Sequence, residues 1–138
     1  MILRGGRRIA LLDLDTDRDV AIARRRVGDA MAKRGCRELM QTRFVTAVSE
    51  IARNAIVHGG GGRLAIYEFP GNRKIGIECI DEGPGIADVK QAMTDGFSTR
   101  DSLGRGLGGA KRLSHEFEIE THGETGTIVR MTGLQNTR

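Results

Sequence analysis

The hydrophobic and polar residues of this chain follow two different periods. Apolar residues alternate with polar ones, or form short runs, in five stretches, and each stretch is predicted to be a strand. Turn residues join the second stretch to the third and the fourth to the fifth, so two hairpins are expected, at Pro70-Gly71-Asn72 and at Gly123-Glu124. Residues 1–6 are expected to be a loose end. The predicted strands are Arg8–Leu14, Arg63–Phe69, Lys74–Ile80, Phe117–His122 and Thr125–Thr132.

Between the first two strands, the apolar residues recur at every third or fourth position, as they do in amphipathic helices. The first predicted helix follows an N-cap at Asp15 or Thr16 and ends near Arg34. The second is the strongest periodic segment, and it ends where His58 leads into four glycines. This second helix and two shorter ones are predicted at Arg37–Val57, Ala87–Met93 and Leu107–His115.

Composition places the chain among globular proteins. It has 138 residues, 38% of them apolar, which suits a single domain over residues 1–138. The sequence has neither a run of 18 apolar residues nor a signal-peptide pattern, so we expect a soluble, cytoplasmic protein with no membrane partner. Lys and Arg exceed Asp and Glu by 22 − 18 = 4. The arginine clusters contain no interleaved aromatic residues, which argues against nucleic acid as a partner. Cys36 and Cys79 are predicted to be buried small hydrophobic residues.

A carboxylate at the end of a predicted strand is the centre of the candidate chemistry. Asp81 directly follows Lys74–Ile80, and Gly83 and Gly85 allow a sharp backbone turn that admits a flat ligand. The carboxylate can accept a hydrogen bond from an exocyclic amine such as that of adenine. Taken alone, this motif is more often a polar strand end followed by a turn.

Two polar residues on the second predicted helix form another candidate pair. Glu50 and Asn54 stand four residues apart, so both project from one face of a helix that is otherwise apolar. The amide oxygen of Asn54 suits Mg²⁺, and Glu50 can orient or deprotonate a nucleophile beside that metal. Two polar residues on the solvated side of a helix are the alternative.

The glycines of Gly104-Arg105-Gly106-Leu107-Gly108 precede a predicted helix, where backbone N–H groups can bind phosphate oxygens. The run is neither a Walker A motif nor a dinucleotide-binding fingerprint. The polar stretch Thr94–Leu103 before it is expected to be a mobile loop. Thr127, after Gly126, can reach a base or a bridging water, although such a residue is more often an ordinary strand residue.

Together these four motifs resemble the GHKL ATPases, which include gyrase, Hsp90, histidine-kinase and anti-sigma-factor ATP-binding domains. Glu50–Asn54 matches the N-box, Asp81–Gly85 the first glycine box and Gly104–Gly108 the second, and Gly126-Thr127 matches the terminal Thr motif. The motifs "EIARN" and "DGFSTRDSLGRGLGGAKRL" are similar to those of the RsbT-type switch kinases of bacterial stress signalling. The resemblance extends from about residue 8 to 132.

The resemblance implies a Bergerat fold, an α+β two-layer sandwich in which a mixed or antiparallel sheet of about five strands carries helices on one face. It implies that ATP or ADP binds with Mg²⁺, that Glu50 is the catalytic base, that Asn54 holds the metal and that residues 94–103 form an ATP lid. The nucleotide-binding residues that it implies are Asn54, Asp81, Gly83, Gly85, Ser98, Thr99, Gly104, Arg105, Gly106, Leu107, Gly108 and Thr127.

Several functions are compatible with such a site. The resemblance favours a protein serine/threonine kinase that phosphorylates a STAS-domain antagonist and switches to a second partner, a PP2C-type phosphatase. The alternative is an anti-sigma factor that binds a sigma subunit and phosphorylates its antagonist. A detached histidine-kinase catalytic domain is disfavoured, because no dimerisation helices with a phospho-acceptor His are present, and His58, His115 and His122 are expected to be structural. A gyrase- or Hsp90-like machine is not expected in a chain of this length.

Overall fold

Five strands and three helices make up the part of the chain that the computed structural model describes, which is residues 1–71, 74–83, 107–121 and 126–134. No helix within these ranges is both long enough and apolar enough to span a lipid bilayer. The predicted helix Ala87–Met93, the loop 94–103 and the two hairpin turns fall wholly or partly outside them. In chain order the elements are β1 (Arg7–Leu14), α1 (Asp17–Lys33), α2 (Glu38–Gly59), β2 (Gly62–Glu68), β3 (Lys74–Asp81), α3 (Leu107–Arg112), β4 (Glu116–Thr121) and β5 (Thr127–Leu134).

The strands form one sheet in the order β1-β2-β3-β5-β4. Each of the four pairings between neighbouring strands is antiparallel. The α+β class and the number of strands are therefore confirmed, and of the two sheet types expected, the described strands form the antiparallel one rather than the mixed one. Both predicted hairpins are present as strand pairs, β2 with β3 and β4 with β5.

The core lies between one face of the sheet and the helices α1 and α2. Alternate residues of the central strands point into it, for example Leu64 and Ile66 of β2 and Ile75 and Ile77 of β3, which are almost fully buried. When one of them is truncated to Ala, the surrounding core collapses only partly into the space left behind, so the substitution costs about 2–5 kcal/mol of stability. The helices contribute an apolar stripe each: Val20, Ala23, Val27 and Met31 from α1, and Phe44, Ala47, Val48, Ile51, Ala52 and Ala55 from α2.

The ends of the helices follow from local chemistry. The Asp19 carboxylate accepts hydrogen bonds from the backbone N–H groups of Asp15, at 2.8 Å, and of Thr16, at 3.1 Å. These bonds lower the pKa of Asp19 and fix the entry into α1 at the predicted N-cap Thr16. The C-terminal end of α2 is capped by Gly60, whose φ of 73° is left-handed and favours glycine.

The first six residues are not a loose end, and that prediction is wrong. The Leu3 side chain is only 2% exposed. It lies over Gly76, on the face of the sheet that points away from α1 and α2, so closely that a Cβ at position 76 would be 2.6 Å from it. The Ile2 N–H also donates to the Glu118 carboxylate at 3.0 Å. A single apolar residue in a glycine- and arginine-rich segment carries too little periodicity to reveal such packing from the sequence.

Candidate functional site

A cleft opens where the C-terminal end of α2 meets the last residues of β3 and the first residues of β5 and α3. Its empty space, including the open mouth, is about 390 Å³. Four of the predicted site residues line it: Asn54, Asp81, Leu107 and Thr127. Its other lining residues are Ile51, Ala55, His58, Gly59, Cys79 and Val129.

Asp81 is the acidic group of this cleft and is the last residue of β3. Burial raises the pKa of its carboxyl, and hydrogen bonds from the backbone N–H groups of Gly83 and Thr127 partly offset that rise. The bond from Gly83 is 3.1 Å long. Since β3 and β5 place Asp81 opposite Thr127, the sheet itself sets the position of the carboxylate. A half-buried, oriented carboxylate of this kind is a specific acceptor for an N–H donor.

Three glycines bring the backbone close to Asp81. A Cβ at Gly59 would lie 2.5 Å from the Asp81 carboxyl carbon, and one at Gly126 would lie 2.2 Å from the Asp81 carbonyl oxygen. A Cβ at Gly83 would likewise lie 2.4 Å from the α-carbon of Gly59. No real Cβ tolerates such distances, so the glycines are required for the chain to close around this aspartate.

The last turns of α2 supply one wall of the cleft. Asn54 and His58 both line it, because residues four apart lie on one face of a helix. Glu50 is one turn further from the C-terminal end of α2, partly buried, and is not among the residues that line the cleft. The structure therefore brings Asn54 to Asp81 and leaves Glu50 beside the cleft rather than in it.

The opposite wall comes from α3 and β5. Leu107, buried and at the first position of α3, lines the cleft, and Gly108 is buried next to it. Thr127, only 6% exposed, begins β5. The other predicted site residues, Gly85, Ser98, Thr99, Gly104, Arg105 and Gly106, lie outside the described residues, and so does the predicted lid.

Some residues that line the cleft were not predicted from the sequence. His58 was expected to be structural, yet it lines the cleft; its spacing of four from Asn54 was the available signal. Cys79 also lines the cleft, and its burial raises the pKa of the thiol to about 12, which keeps it protonated and unreactive. Ile51, Ala55 and Val129 are core residues by pattern, and nothing in their types marks them as part of a site.

The sequence pattern of the histidine kinase-like ATPase domain matches residues 14–133, which is most of the chain and includes every described residue of the cleft. The chain belongs to the histidine kinase-like ATPase family. The expected relationship is thereby confirmed, and the cleft at Asp81 is the candidate nucleotide site of this family member.

Curated relatives of two kinds are similar to this family member. The protein of Bacillus subtilis (strain 168) named serine/threonine-protein kinase RsbT is 40% identical over 112 residues, covering 79% of this chain and 84% of that protein. An anti-sigma F factor of Thermoanaerobacter sp. (strain X514) is 41% identical over 93 residues, covering 63% of this chain and 65% of that protein. The anti-sigma F factor of Heyndrickxia coagulans is 33% identical over 94 residues, which are 64% of its length. This chain thus spans somewhat less than two thirds of either anti-sigma F factor.

Proposed function

We propose that this protein is an ATP-dependent protein serine/threonine kinase that works as a partner-switching regulator. The observation that carries the proposal is the convergence of Asn54, Asp81 and Thr127, from three separate elements, on one cleft in a chain of this ATPase family. In the proposed complex, the Asp81 carboxylate accepts the adenine amine, and Thr127 lies against the same end of the nucleotide.

The residues of the cleft fit a nucleotide with its metal ion. The oriented carboxylate and the close-packed glycines suit a flat base, and the amide oxygen of Asn54 is a hard ligand of the kind that Mg²⁺ accepts. Among the described residues there is no group of three or more His, Cys, Asp or Glu that could hold a metal ion by itself. The proposal therefore has Mg²⁺ held jointly by Asn54 and the nucleotide phosphates, as is usual for this ion.

We assign Glu50 as the general base. It lies one helical turn before Asn54 and on the same side of α2. In the proposed reaction, a protein hydroxyl oxygen attacks the γ-phosphorus of ATP, the bond from that phosphorus to the β–γ bridging oxygen breaks, and ADP leaves. The hydroxyl proton passes to Glu50. The predicted phosphate-binding run 104–108 and the lid 94–103 belong to the same proposal.

The proposed substrate is a Ser or Thr of a small STAS-domain antagonist, and the second partner is a PP2C-type phosphatase. The relative named RsbT supports this version, and it shares the larger part of its length with this chain. The relatives named anti-sigma F factor support a second candidate, in which the second partner is a sigma factor. The exposed arginines Arg24, Arg25 and Arg26 of α1 offer one edge for an acidic partner. Because the reaction consumes ATP, we propose the cytoplasm as its location.

Incubation with a STAS-domain protein encoded beside this one and with γ-labelled ATP tests the proposal. We expect an acid-stable phosphoserine or phosphothreonine on the STAS-domain protein, and much weaker labelling when the Asp81→Asn variant replaces the wild type at low ATP concentration. An acid-labile phosphohistidine, or ATP hydrolysis without labelled protein, would contradict the kinase assignment. Binding of the ADP-bound protein to a sigma factor and to a phosphatase is then measured separately. The partner that binds is the second partner of this protein.

A further inference from the structure

One stripe of α2 faces away from the core. Its members follow one another at spacings of four and three residues, so they form a single ridge along the helix, on the side opposite the buried residues Phe44, Val48 and Ile51. Five of them are exposed, and Glu50 is partly buried. The stripe consists of Leu39, Arg43, Thr46, Glu50, Arg53 and Val57.

The two ends of this α2 stripe are apolar. Leu39 is 69% exposed and Val57 is 64% exposed, the highest values of any large hydrophobic residue in the described part of the chain. Between them, Arg43 and Arg53 make no hydrogen bond or ion pair within residues 1–71, 74–83, 107–121 and 126–134. A ridge that combines exposed aliphatic groups with unpaired arginines is a surface of the kind that contacts other proteins.

Glu50 belongs to this stripe and not to the lining of the nucleotide cleft, whereas Asn54, one turn later, lines the cleft. A general base must lie within hydrogen-bond distance, about 2.6–3.2 Å, of the hydroxyl that it deprotonates. A protein hydroxyl that reaches Glu50 therefore arrives from the stripe side of the cleft. The substrate surface around that hydroxyl must then lie on the neighbouring turns of α2.

The usual size of protein interfaces decides how much of the stripe such a substrate covers. Because a helix rises about 1.5 Å per residue, Val57 lies about 10 Å and Leu39 about 16 Å from Glu50 along the helix axis. A standard interface buries about 800 Å² on each partner, which corresponds to a patch about 30 Å across. A patch of that size centred on Glu50 includes Arg53 and Val57 and ends near Leu39.

We propose that the stripe is the docking surface for the protein substrate of the kinase, with Arg53 and Val57 as specificity-determining residues. The inference rests on the proposed function, because it takes Glu50 as the base that the substrate hydroxyl must reach. The substrate surface that fits carries an aliphatic side chain for Val57 and a carbonyl or carboxylate oxygen for Arg53, both within about 15 Å of the acceptor Ser or Thr. A second copy of the chain, or a partner that receives no phosphate, would cover Glu50 and block transfer, so neither fits this surface during the reaction.

Steady-state phosphorylation of the STAS-domain protein encoded beside this one tests the inference. The double variant Arg53→Gln/Val57→Ser removes both contacts, and Arg63→Gln/Leu11→Ser makes the same changes at exposed positions on the sheet face that points away from α2. We expect the KM for the protein substrate to rise about tenfold in the first variant and to stay level in the second. The kcat at saturating substrate and the affinity for ADP should match the wild type in both, because none of the four residues lines the cleft.

Three results would overturn the inference. Normal transfer with the same KM in both double variants would reject the stripe and leave the kinase in place. A fall in kcat at unchanged KM, or a lower affinity for ADP, would show that Arg53 and Val57 act on the reaction or on the cleft, and would also reject the docking role. A wild type that labels no protein would overturn the proposed function and this inference with it.

Photocrosslinking locates the contact directly. With ATP and the STAS-domain protein present, a benzophenone amino acid at Val57 should crosslink to a substrate segment that lies close in space to the phosphorylated residue, as mass spectrometry of the crosslinked peptide will show. The same group at Leu11, which is 48% exposed, is the matched control. Crosslinks from Val57 that are no more frequent than those from Leu11, or that fall on a surface of the substrate remote from the phosphorylated residue, would reject the docking surface.

Discussion

The α-carbon of Gly59, at the end of α2, packs directly against the carboxyl group of Asp81, at the end of β3. A helix and a strand meet here without a side chain between them, next to the cleft that Gly59 and Asp81 both line. The end of α2 and the last residue of β3 thus meet in a van der Waals contact, beside the strand pairing and hydrogen bonds that orient the carboxylate.

Replacing Gly59 by Ala should reverse the usual effect of this substitution in a helix. In an unobstructed helix, Gly→Ala stabilises a protein by about 0.4–1 kcal/mol. At position 59 the new methyl group would lie 2.5 Å from the Asp81 carboxyl carbon, so we expect a loss of about 1–3 kcal/mol instead. Gly28→Ala in α1 is the matched control, because the nearest side-chain atom to its Cβ, on Val45, is at an ordinary 3.8 Å. Urea unfolding of both variants measures the difference, and a stabilised Gly59→Ala would contradict the close contact.

Replacing Asp81 by Asn should separate nucleotide affinity from stability. The Asn side chain keeps one acceptor for the Gly83 and Thr127 N–H groups, but it replaces the anionic acceptor of the proposed adenine bond. We expect nucleotide binding to weaken by about 1–3 kcal/mol, and the free energy of unfolding without nucleotide to stay level or rise, because a partly desolvated charge is removed. Calorimetric titration with ADP and urea unfolding measure the two quantities. Wild-type affinity in this variant would remove Asp81 from the proposed adenine site.

Nucleotide binding should weaken in mild acid, at a pH above the usual titration range of an aspartate. Burial raises the pKa of Asp81 in the folded protein, so its carboxylate takes up a proton there before it does in the unfolded chain. Protonation removes the anionic acceptor, and affinity falls as the pH falls through the raised pKa.

Mild acid should have the opposite effect on stability: as the pH falls, the unfavourable contribution of Asp81 to the free energy of unfolding should decrease. The cost of its desolvated charge is fully present above the raised pKa and is relieved as the pH falls through it. Asp81→Asn removes both dependences, so the comparison of wild type and variant between mildly acidic and neutral pH isolates them. If the variant loses affinity in acid as the wild type does, another group is responsible.

Replacing Glu50 by Gln should greatly slow phosphoryl transfer without removing nucleotide binding. Glu50 does not line the cleft, so the affinity for ADP should change little. A general base contributes about 10²–10⁴-fold to the rate, and its loss acts on the transition state. Glu38→Gln, an exposed change in the first turn of α2, is the control for the charge change. Single-turnover labelling of the STAS-domain substrate measures the rate; an unchanged rate in Glu50→Gln would make this residue structural.

The local structure and the chemistry of the motifs were already determined by the sequence. The period of the apolar residues places β1, α1, α2 and the strands of both hairpins within one or two residues of their observed ends, because each element buries one face. Left-handed Gly60 ends α2 where the glycine run predicted it. The residue types of Asn54 and Asp81 are chemically distinctive, so the sequence also marked them as candidates.

Only the tertiary structure decided how these pieces meet. The antiparallel arrangement puts Asp81 opposite Thr127, 46 positions later in the chain, and this follows from sheet order rather than from any local pattern. The close approach of Gly59 to Asp81, the entry of His58 into the cleft and the displacement of Glu50 to its side all depend on the position of α2 on the sheet. The burial of Leu3, and the exposure of Leu11 and Ile80 on the same sheet face, likewise depend on which neighbours cover that face. Such contacts join residues far apart in the chain, and a single sequence carries no signal for them.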